Sequence, residues 1–565
     1  MRRLALLAFA LPLAACATQP RPVDMAPKGA PPPPPIEVQI LAFNDFHGNL
    51  EVPPPVEITE ADGRKVKVTT GGAAHLASAL QGARAGQAHS VTVSAGDTIG
   101  ATPLTSALFL DEPTITAMNM LGLEYNAVGN HEFDKGVLEL KRMQSGGCVQ
   151  HTARMPCAVE RFEGGKFRYL AANVVQPDGT TILPATGIKD FGPVQVGFIG
   201  MTLKETKNLV TPAGVAGLSF ADEAATANAL VPQLKAQGAD AIVLLIHQGG
   251  KLPTFNRGNG CEGFYGEIKD IVAKLDPAIT TVVSGHTHWA YVCNDRYGSA
   301  PIPRLVTSAG KNGYFYTDIR ISFDPRTGAF NDQRAENLVV GNGERGSDAA
   351  VKAHVDKYVA AAAPLANRVV GRLAATATRN VYDGESAAAN LIADSMLAAT
   401  RAADKGGAQL ALVNATGVRV DLPGGEVRYR DAFSMMPFQN NLVVLSLTGA
   451  ELKAAIEQQF EKPLRQGFND PSVLAPSEGF AYTFDLKRPA GQRIVAMSLN
   501  GRPVDPARTY RVVVNNYVAS GGDGLSVFTK GRDVVDPTIV DIDALIAWIA
   551  PGRAPPKVGR VTRAD

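Results

Sequence analysis

The sequence predicts an α/β protein of more than one domain, on three observations. Short β-branched apolar runs alternate with helix-like stretches from residue 36 to about 340, the pattern of a layered α/β domain. A second α/β region begins near Val369 and runs to about Ile549. The chain has 565 residues, whereas single cores stop growing at roughly 250–300 residues.

In the first region, Val38–Phe43, Val91–Ser94, Tyr125–Val128, Ala241–Ile246 and Thr281–Ser284 read as buried strands, each bounded by Gly or polar residues. Leu76–Arg84 and Ala224–Ala236 carry helical spacing between them. An Ala-rich amphipathic stretch, Ser347–Ala366, reads as a helical linker within residues 341–368, and a hinge between the domains is expected there. In the second region, residues 369–565, a helix is expected over Glu385–Ala403. Strands are expected at Gln409–Val413, Leu442–Leu447 and Tyr510–Val514. The tail from Pro551 reads as irregular, and no repeat of solenoid period occurs.

Each of the five N-terminal runs ends in a polar cluster: Asp45-Phe46-His47, Gly96-Asp97, Gly129-Asn130-His131-Glu132-Phe133-Asp134, His247 and Gly285-His286-Thr287-His288. Chemistry in α/β sheets gathers at the carboxyl ends of strands, so the five clusters can converge. Carboxylate, imidazole and amide oxygen together suit divalent ions such as Zn or Mn. As alternate residues of an extended segment, Asp45 and His47 would share a face and one ion. The same holds for His286 and His288, unless a tight turn sends them to different ions. Asp97 follows a glycine, where an ion can approach closely, and one carboxylate can bridge two ions. Asp45, His47, Asp97, Asn130, His247, His286 and His288 suffice for two ions, which roughly 4 Å apart can activate water and clamp the attacking and leaving oxygens. Five of the nine histidines fall in these clusters; His75, His89, His151 and His354 read as ordinary surface or core residues.

Charged residues make up 19% of the chain and the net charge is +1, which excludes a disordered chain and a broad polyanion-binding face, so no nucleic acid polymer is expected as partner. Arg2 and Arg3 precede an apolar stretch, Leu4–Leu13, too short to span a bilayer. The following Leu13-Ala14-Ala15-Cys16 resembles a bacterial lipobox, which implies cleavage before Cys16 and lipid attachment to its sulfur. Residues 17–35, ending in five prolines, read as an extended tether. An exported, membrane-anchored lipoprotein, periplasmic or cell-surface, is thus expected. Four cysteines remain, and an even number in an exported chain points to disulfides with three possible connectivities. Cys148–Cys157, closing a short loop, with Cys261–Cys293 is the preferred pairing.

In order and spacing, the five clusters resemble the calcineurin-like metallophosphoesterase signature. The wording Asn44-Asp45-Phe46-His47-Gly48 with Gly129-Asn130-His131-Glu132-Phe133-Asp134 resembles its bacterial 5′-nucleotidase and UDP-sugar hydrolase branch. The resemblance implies a four-layer α/β/β/α sandwich over residues 36–340. It also implies Asp45, His47, Asp97 and His288 around one ion and Asp97, Asn130, His247 and His286 around the other. His131 then stays free of metal and faces the phosphate as a catalytic residue, oriented by Asp134; a His held by a carboxylate can remain protonated and stabilise phosphoryl charge.

The second half resembles the nucleotide-binding domain of the same family through Asn414-Ala415-Thr416-Gly417-Val418-Arg419, Pro437-Phe438-Gln439-Asn440 and Asn516 to Gly524. The implied substrate-binding residues are Asn414, Arg419, Phe438, Asn440, Tyr517 and Asp523. Phe438 and Tyr517 would sandwich a base, worth roughly 1–3 kcal/mol; Asp523 would accept from ribose hydroxyls and Arg419 would hold an anionic oxygen. Ala415 and Thr416 replace glycines common in the family; the departure that bears on substrate preference is Gly384, standing where the family often has Arg, with Arg379 six residues before Glu385 as a substitute. The resemblance implies a monomeric 5′-nucleotidase, acting on nucleoside monophosphates and on nucleotide diphosphates or UDP-sugars. The rivals are a 2′,3′-cyclic nucleotide phosphodiesterase with 3′-nucleotidase activity, a thiosulfohydrolase and a non-catalytic nucleotide-binding lipoprotein.

Overall fold

A computed structural model describes residues 33–59, 63–254, 258–298, 301–341, 346–380, 384–461 and 471–565. Cys16, the export segment and most of the tether lie outside the described residues.

All five expected N-terminal strands form, but they divide between two sheets. Ile36–Phe43, Ser90–Ser94 and Tyr125–Ala127 lie side by side and parallel in one six-stranded sheet. Ala241–His247 and Ile279–Ser284 are parallel neighbours in a second six-stranded sheet. The two pack face to face through Val38, Ile40, Val91 and Val93 against Val196, Phe198, Val243 and Leu245. Side chains alternate along each strand, so Leu41 and Phe43 point the other way, into a helical layer that includes Ala73–Arg84. The second sheet is covered on its outer face by Glu223–Ala236 and Ile268–Ala273. Strands buried on both faces carry near-continuous apolar runs, which is why they were readable.

The helix expected at Ser347–Ala366 spans Ala349–Ala366, capped by the Asp348 carboxylate on the Ala350 and Val351 amides. It is not a free connector. Val351 and Val355 enter the core of the first helical layer, and Tyr358 and Ala362 pack on Phe109. Its last residues, Leu365 and Ala366, pack instead on the core of the second half, so the helix touches both halves.

The second half is built on a five-stranded mixed sheet containing Leu410–Val413, Thr509–Asn515 and Leu442–Thr448. The expected Glu385–Ala403 helix is shorter, Ala387–Thr400, because Ser386 caps it by accepting from the Ala389 amide. It and Asp541–Ile549 cover one face; Gly449–Glu457 and a four-stranded sheet cover the other. The tail is not irregular throughout. Val561–Arg563 pairs parallel with Phe480–Phe484, and the Glu385 carboxylate accepts from the amides of Gly559, Arg560 and Val561. Arg560 forks onto Asp394 at 2.7 and 2.9 Å. The composition after Pro551 hid this strand because its three residues depend on a partner strand far away in sequence.

Both preferred disulfides form, with Cα atoms 5.5 Å apart for Cys148–Cys157 and 4.9 Å for Cys261–Cys293. Among the described residues no helix is long and apolar enough to cross a membrane.

Candidate active site

The polar clusters converge where the two sheets' carboxyl edges meet. The reason is not strand alternation. Asp45 and His47 lie beyond the strand that ends at Phe43, and both adopt left-handed backbone, with φ near 48°. Asp97, His286 and His288 do likewise, at 49°, 69° and 66°. Five non-glycine residues in a sparsely populated region store strain that only the surrounding structure can hold, a mark of sites built for function. The turns interlock: the amides of Asp45 and His47 donate to the carbonyls of Gly96 and Asp97, each at 3.0 Å. A Cβ at Gly129 would stand 2.2 Å from Asp97 Oδ1, so glycine is required there for the carboxylate to sit where it does.

Asp97 stands at the centre. Its Oδ2 lies 2.9 Å from His247 Nε2 and 3.9 Å from His47 Nε2, while Oδ1 accepts from the His131 amide at 2.9 Å. Asp45, His47 and His288 bring ligand atoms within 4.8 Å of one another, and so do Asp97, His247 and His286. Asn130 Oδ1 lies 3.1 Å from His286 Nδ1. His286 and His288 therefore part to opposite groups, as the tight-turn alternative required. Glu132, which no sequence motif role covered, is wholly buried and accepts from the amides of Asp97, Thr98 and Gly129, at 3.0, 2.8 and 2.7 Å. It holds the two loops together. Burial, with Asp97 nearby, raises its pKa to about 8.

The donor set fits divalent ions. His247 Nδ1 lies 2.8 Å from the Ala95 carbonyl and His47 Nδ1 lies 2.9 Å from that of Gly100. A carbonyl accepts only, so each ring keeps its proton on Nδ1 and turns the Nε2 lone pair inward. His47 Nε2 then faces His288 Nε2 at 3.1 Å, and His247 Nε2 faces a carboxylate oxygen. Imidazole nitrogens and carboxylate oxygens gathered in a buried site suit a cation among them. Titration points the same way: burial opposes a proton on His247, yet the Asp97 carboxylate pulls its pKa up to about 10. A metal ion would supply the positive charge this pair demands.

His131 also comes within 4.8 Å of ligand atoms of His47 and Asp97, but its ring is engaged elsewhere. Its Nδ1 lies 2.8 Å from Asp134 Oδ2. Burial works against its charged form, but Asp134 and Asp97 outweigh it and raise its pKa.

The C-terminal half completes the site. One cavity of about 390 Å³ is lined by Asn130, His131 and His286 from the first half, and by Asn414, Arg419, Phe438, Asn440, Tyr517 and Asp523 from the second. All six expected substrate-binding residues thus reach the same space as part of the ligand cluster. Phe438 stacks on His131, ring centres 6.0 Å apart, and the Arg419 guanidinium lies over the Phe438 ring, 5.7 Å from its centre. The Tyr517 hydroxyl lies within donating distance of two acceptors, Asp523 Oδ1 at 3.1 Å and the Asn208 carbonyl across the domain boundary at 3.3 Å.

Two contributions were not legible in the sequence. Thr416, a departure from glycine, donates to Asp523 at 2.6 Å and, with Asn414 at 2.9 Å, fixes that carboxylate. Lys311 sits in a turn whose next amide, Asn312, donates to the Asp45 carbonyl at 2.8 Å. Burial, then the neighbouring Arg419 and Arg379 guanidinium groups, lower its pKa to about 8. Three cations thus gather around Lys311, two of which, Lys311 and Arg419, also face His288. No spacing rule links positions 311, 379 and 419.

Fold and site define a class, the metallophosphoesterases, and comparison with known proteins agrees. Residues 38–290 match the calcineurin-like phosphoesterase family, and residues 365–530 match the 5′-nucleotidase C-terminal domain. The cell wall protein Lmo0130 of Listeria monocytogenes is 30% identical over 568 residues, covering 93% of this chain and 68% of that protein. Endonuclease YhcR of Bacillus subtilis is 30% identical over 86% of this chain, which spans only 37% of its length. Among solved structures, a 5′-nucleotidase precursor from Thermus thermophilus superposes with a TM-score of 0.75 at 26% identity, covering 94% of this chain and 99% of that one. The chain belongs to the calcineurin-like phosphoesterases that carry a 5′-nucleotidase C-terminal domain.

Proposed function

We propose that this protein is a metal-dependent phosphohydrolase that releases phosphate from nucleoside 5′-monophosphates. The single observation that carries the reading is the shared cavity: the proposed ligands Asn130 and His286 with His131 at one end, Phe438, Tyr517 and Asp523 at the other. Asp45, His47 and His288 would hold one ion and Asn130, His247 and His286 the other, with Asp97 facing both; Zn or Mn suits these donors. Divalent ions there supply Lewis acidity at the phosphoryl group and lower the pKa of the attacking water. Phe438 and Tyr517 stack the base, and Asp523 accepts from the ribose. Arg419 and protonated His131 neutralise the phosphoryl oxygens as water adds to phosphorus and the bond to the ribose oxygen breaks. Asp134 keeps the His131 proton on Nδ1 and leaves Nε2–H to donate.

The cations Lys311, Arg379 and Arg419 favour a wider range that includes nucleotide diphosphates, since a second phosphate would meet positive charge beyond the first. Purified protein with added Mn or Zn, assayed on a panel of nucleoside 5′-monophosphates, 2′,3′-cyclic and 3′-nucleotides, nucleotide diphosphates, UDP-sugars and thiosulfate conjugates, tests this. Release of phosphate from 5′-monophosphates is expected; turnover confined to the cyclic or sulfur substrates overturns it, and none at all favours the non-catalytic reading.

Export and anchoring through acylated Cys16 are part of the same proposal, supported by Arg2, Arg3 and the apolar Leu4–Leu13 segment. Several acyl chains on one residue hold a monomeric protein to a membrane where one would not. A Cys16→Ala variant should leave the membrane fraction; retention after a high-salt wash refutes the anchor.

A further inference from the structure

We infer that the disulfide-closed loop Cys148–Cys157 is an arm of the N-terminal half that holds the base-binding segment of the C-terminal half in place, with Arg154 as the positioning residue. The inference rests on the proposed nucleotide reading for its substrate effects, but the contact itself does not.

The arm is held rigidly at its base. Arg142 donates to the Gly147 carbonyl at 2.9 Å and to Glu112 at 2.7 Å, and the same Glu112 accepts from the Cys157 amide at 3.0 and 3.1 Å. Both ends of the loop are thereby fixed to one buried ion pair, with the disulfide closing the circuit. Near the tip, the Arg154 amide donates to Thr152 Oγ1 at 3.2 Å, making a local turn that projects the guanidinium outward. That guanidinium crosses the domain boundary. Its Nη2 donates to Gln439 Oε1, and it also bonds the Tyr429 side chain.

Those two acceptors bracket what matters. Tyr429 opens the helix Tyr429–Met435, which leads directly into Pro437-Phe438-Gln439-Asn440. Gln439 has left-handed backbone, φ 54°, so the turn presenting Phe438 depends on outside contacts to persist. Arg154 grips the segment before and after the ring that stacks on His131. Without it, a smaller share of molecules presents the assembled cavity, and apparent affinity falls by that share.

The test uses the full chain loaded with Mn. Arg154→Ala should raise KM for adenosine 5′-monophosphate about ten-fold, the effect of losing a charge-assisted hydrogen bond, with kcat unchanged because saturating nucleotide draws the segment back. Turnover of p-nitrophenyl phosphate, which needs no base site, should not change. Arg154→Lys should recover part of the loss, and Cys148→Ser/Cys157→Ser should shift KM in the same direction as Arg154→Ala. An unchanged KM in Arg154→Ala, or an equal loss on p-nitrophenyl phosphate, overturns the inference. If the unaltered chain hydrolyses no nucleotide, the functional reading falls. The arm is then judged by amide hydrogen exchange at residues 438–440: faster exchange in Arg154→Ala upholds it, and identical exchange refutes it.

Discussion

Asp97 is the residue on which most of the site turns, because one carboxylate faces both ligand groups. Asp97→Ala should abolish hydrolysis and reduce bound metal at both positions; two ions still bound per chain by metal analysis would disprove the shared role. His131 should behave differently. His131→Ala is expected to keep its metal and lose roughly 100-fold or more in kcat, as for removal of a charge-stabilising donor. Asp134 raises the His131 pKa, so Asp134→Asn must lower it. Activity that needs protonated His131 fails as pH rises through that pKa. The alkaline limb of the kcat profile should therefore move to lower pH in Asp134→Asn, and a profile that stays put would show that Asp134 does not set this proton.

At the scale of elements, the last strand is the least expected and the most testable. Arg560 and Asp394 are 17% and 7% exposed in their side chains, so the pair is largely desolvated. Removing one partner of such a pair leaves the other uncompensated, and Arg560→Ala should cost about 3 kcal/mol, the low end because Arg560 keeps some water. Urea unfolding followed by the C-terminal half's fluorescence checks this. The Asp541–Ile549 helix offers a pH test. Burial raises the Asp541 pKa to about 7, above the ordinary 3.8, so between these values the folded state holds a proton that the unfolded state has released. Stability from this group is present below about pH 4 and is lost as pH rises toward 7. Asp541→Asn should thus gain stability relative to the parent chain between pH 5 and pH 8; a constant difference would contradict it.

For the whole molecule, metal and stability are linked. Ions that bind only the folded N-terminal half stabilise it by mass action, whereas the C-terminal half supplies none of the proposed ligands. Calorimetry with added Mn should raise one transition and leave the other near its metal-free position. Two transitions rising together would mean that the halves unfold as one unit, which the packing of Leu104, Ala107, Leu365 and Ala366 against the core of the second half would then explain.

The five buried strands, the polar clusters at their ends, both disulfides and the family were legible in the amino-acid sequence, since each is a local pattern. A strand buried on both faces must be apolar throughout, and its functional residues must wait until it ends. Tertiary structure alone decided the rest. It divided the strands between two sheets, set Asp45 and His47 together through left-handed turns rather than strand alternation, and sent His286 and His288 to opposite groups. It also brought Lys311 beside Arg379 and Arg419 from positions no motif connects, and gave the tail a partner strand. Sequence periodicity reports what a segment buries against its immediate surroundings. Which loops meet, and which way a turn aims its side chains, depends on contacts between residues hundreds of positions apart, and those exist only once the layers have packed.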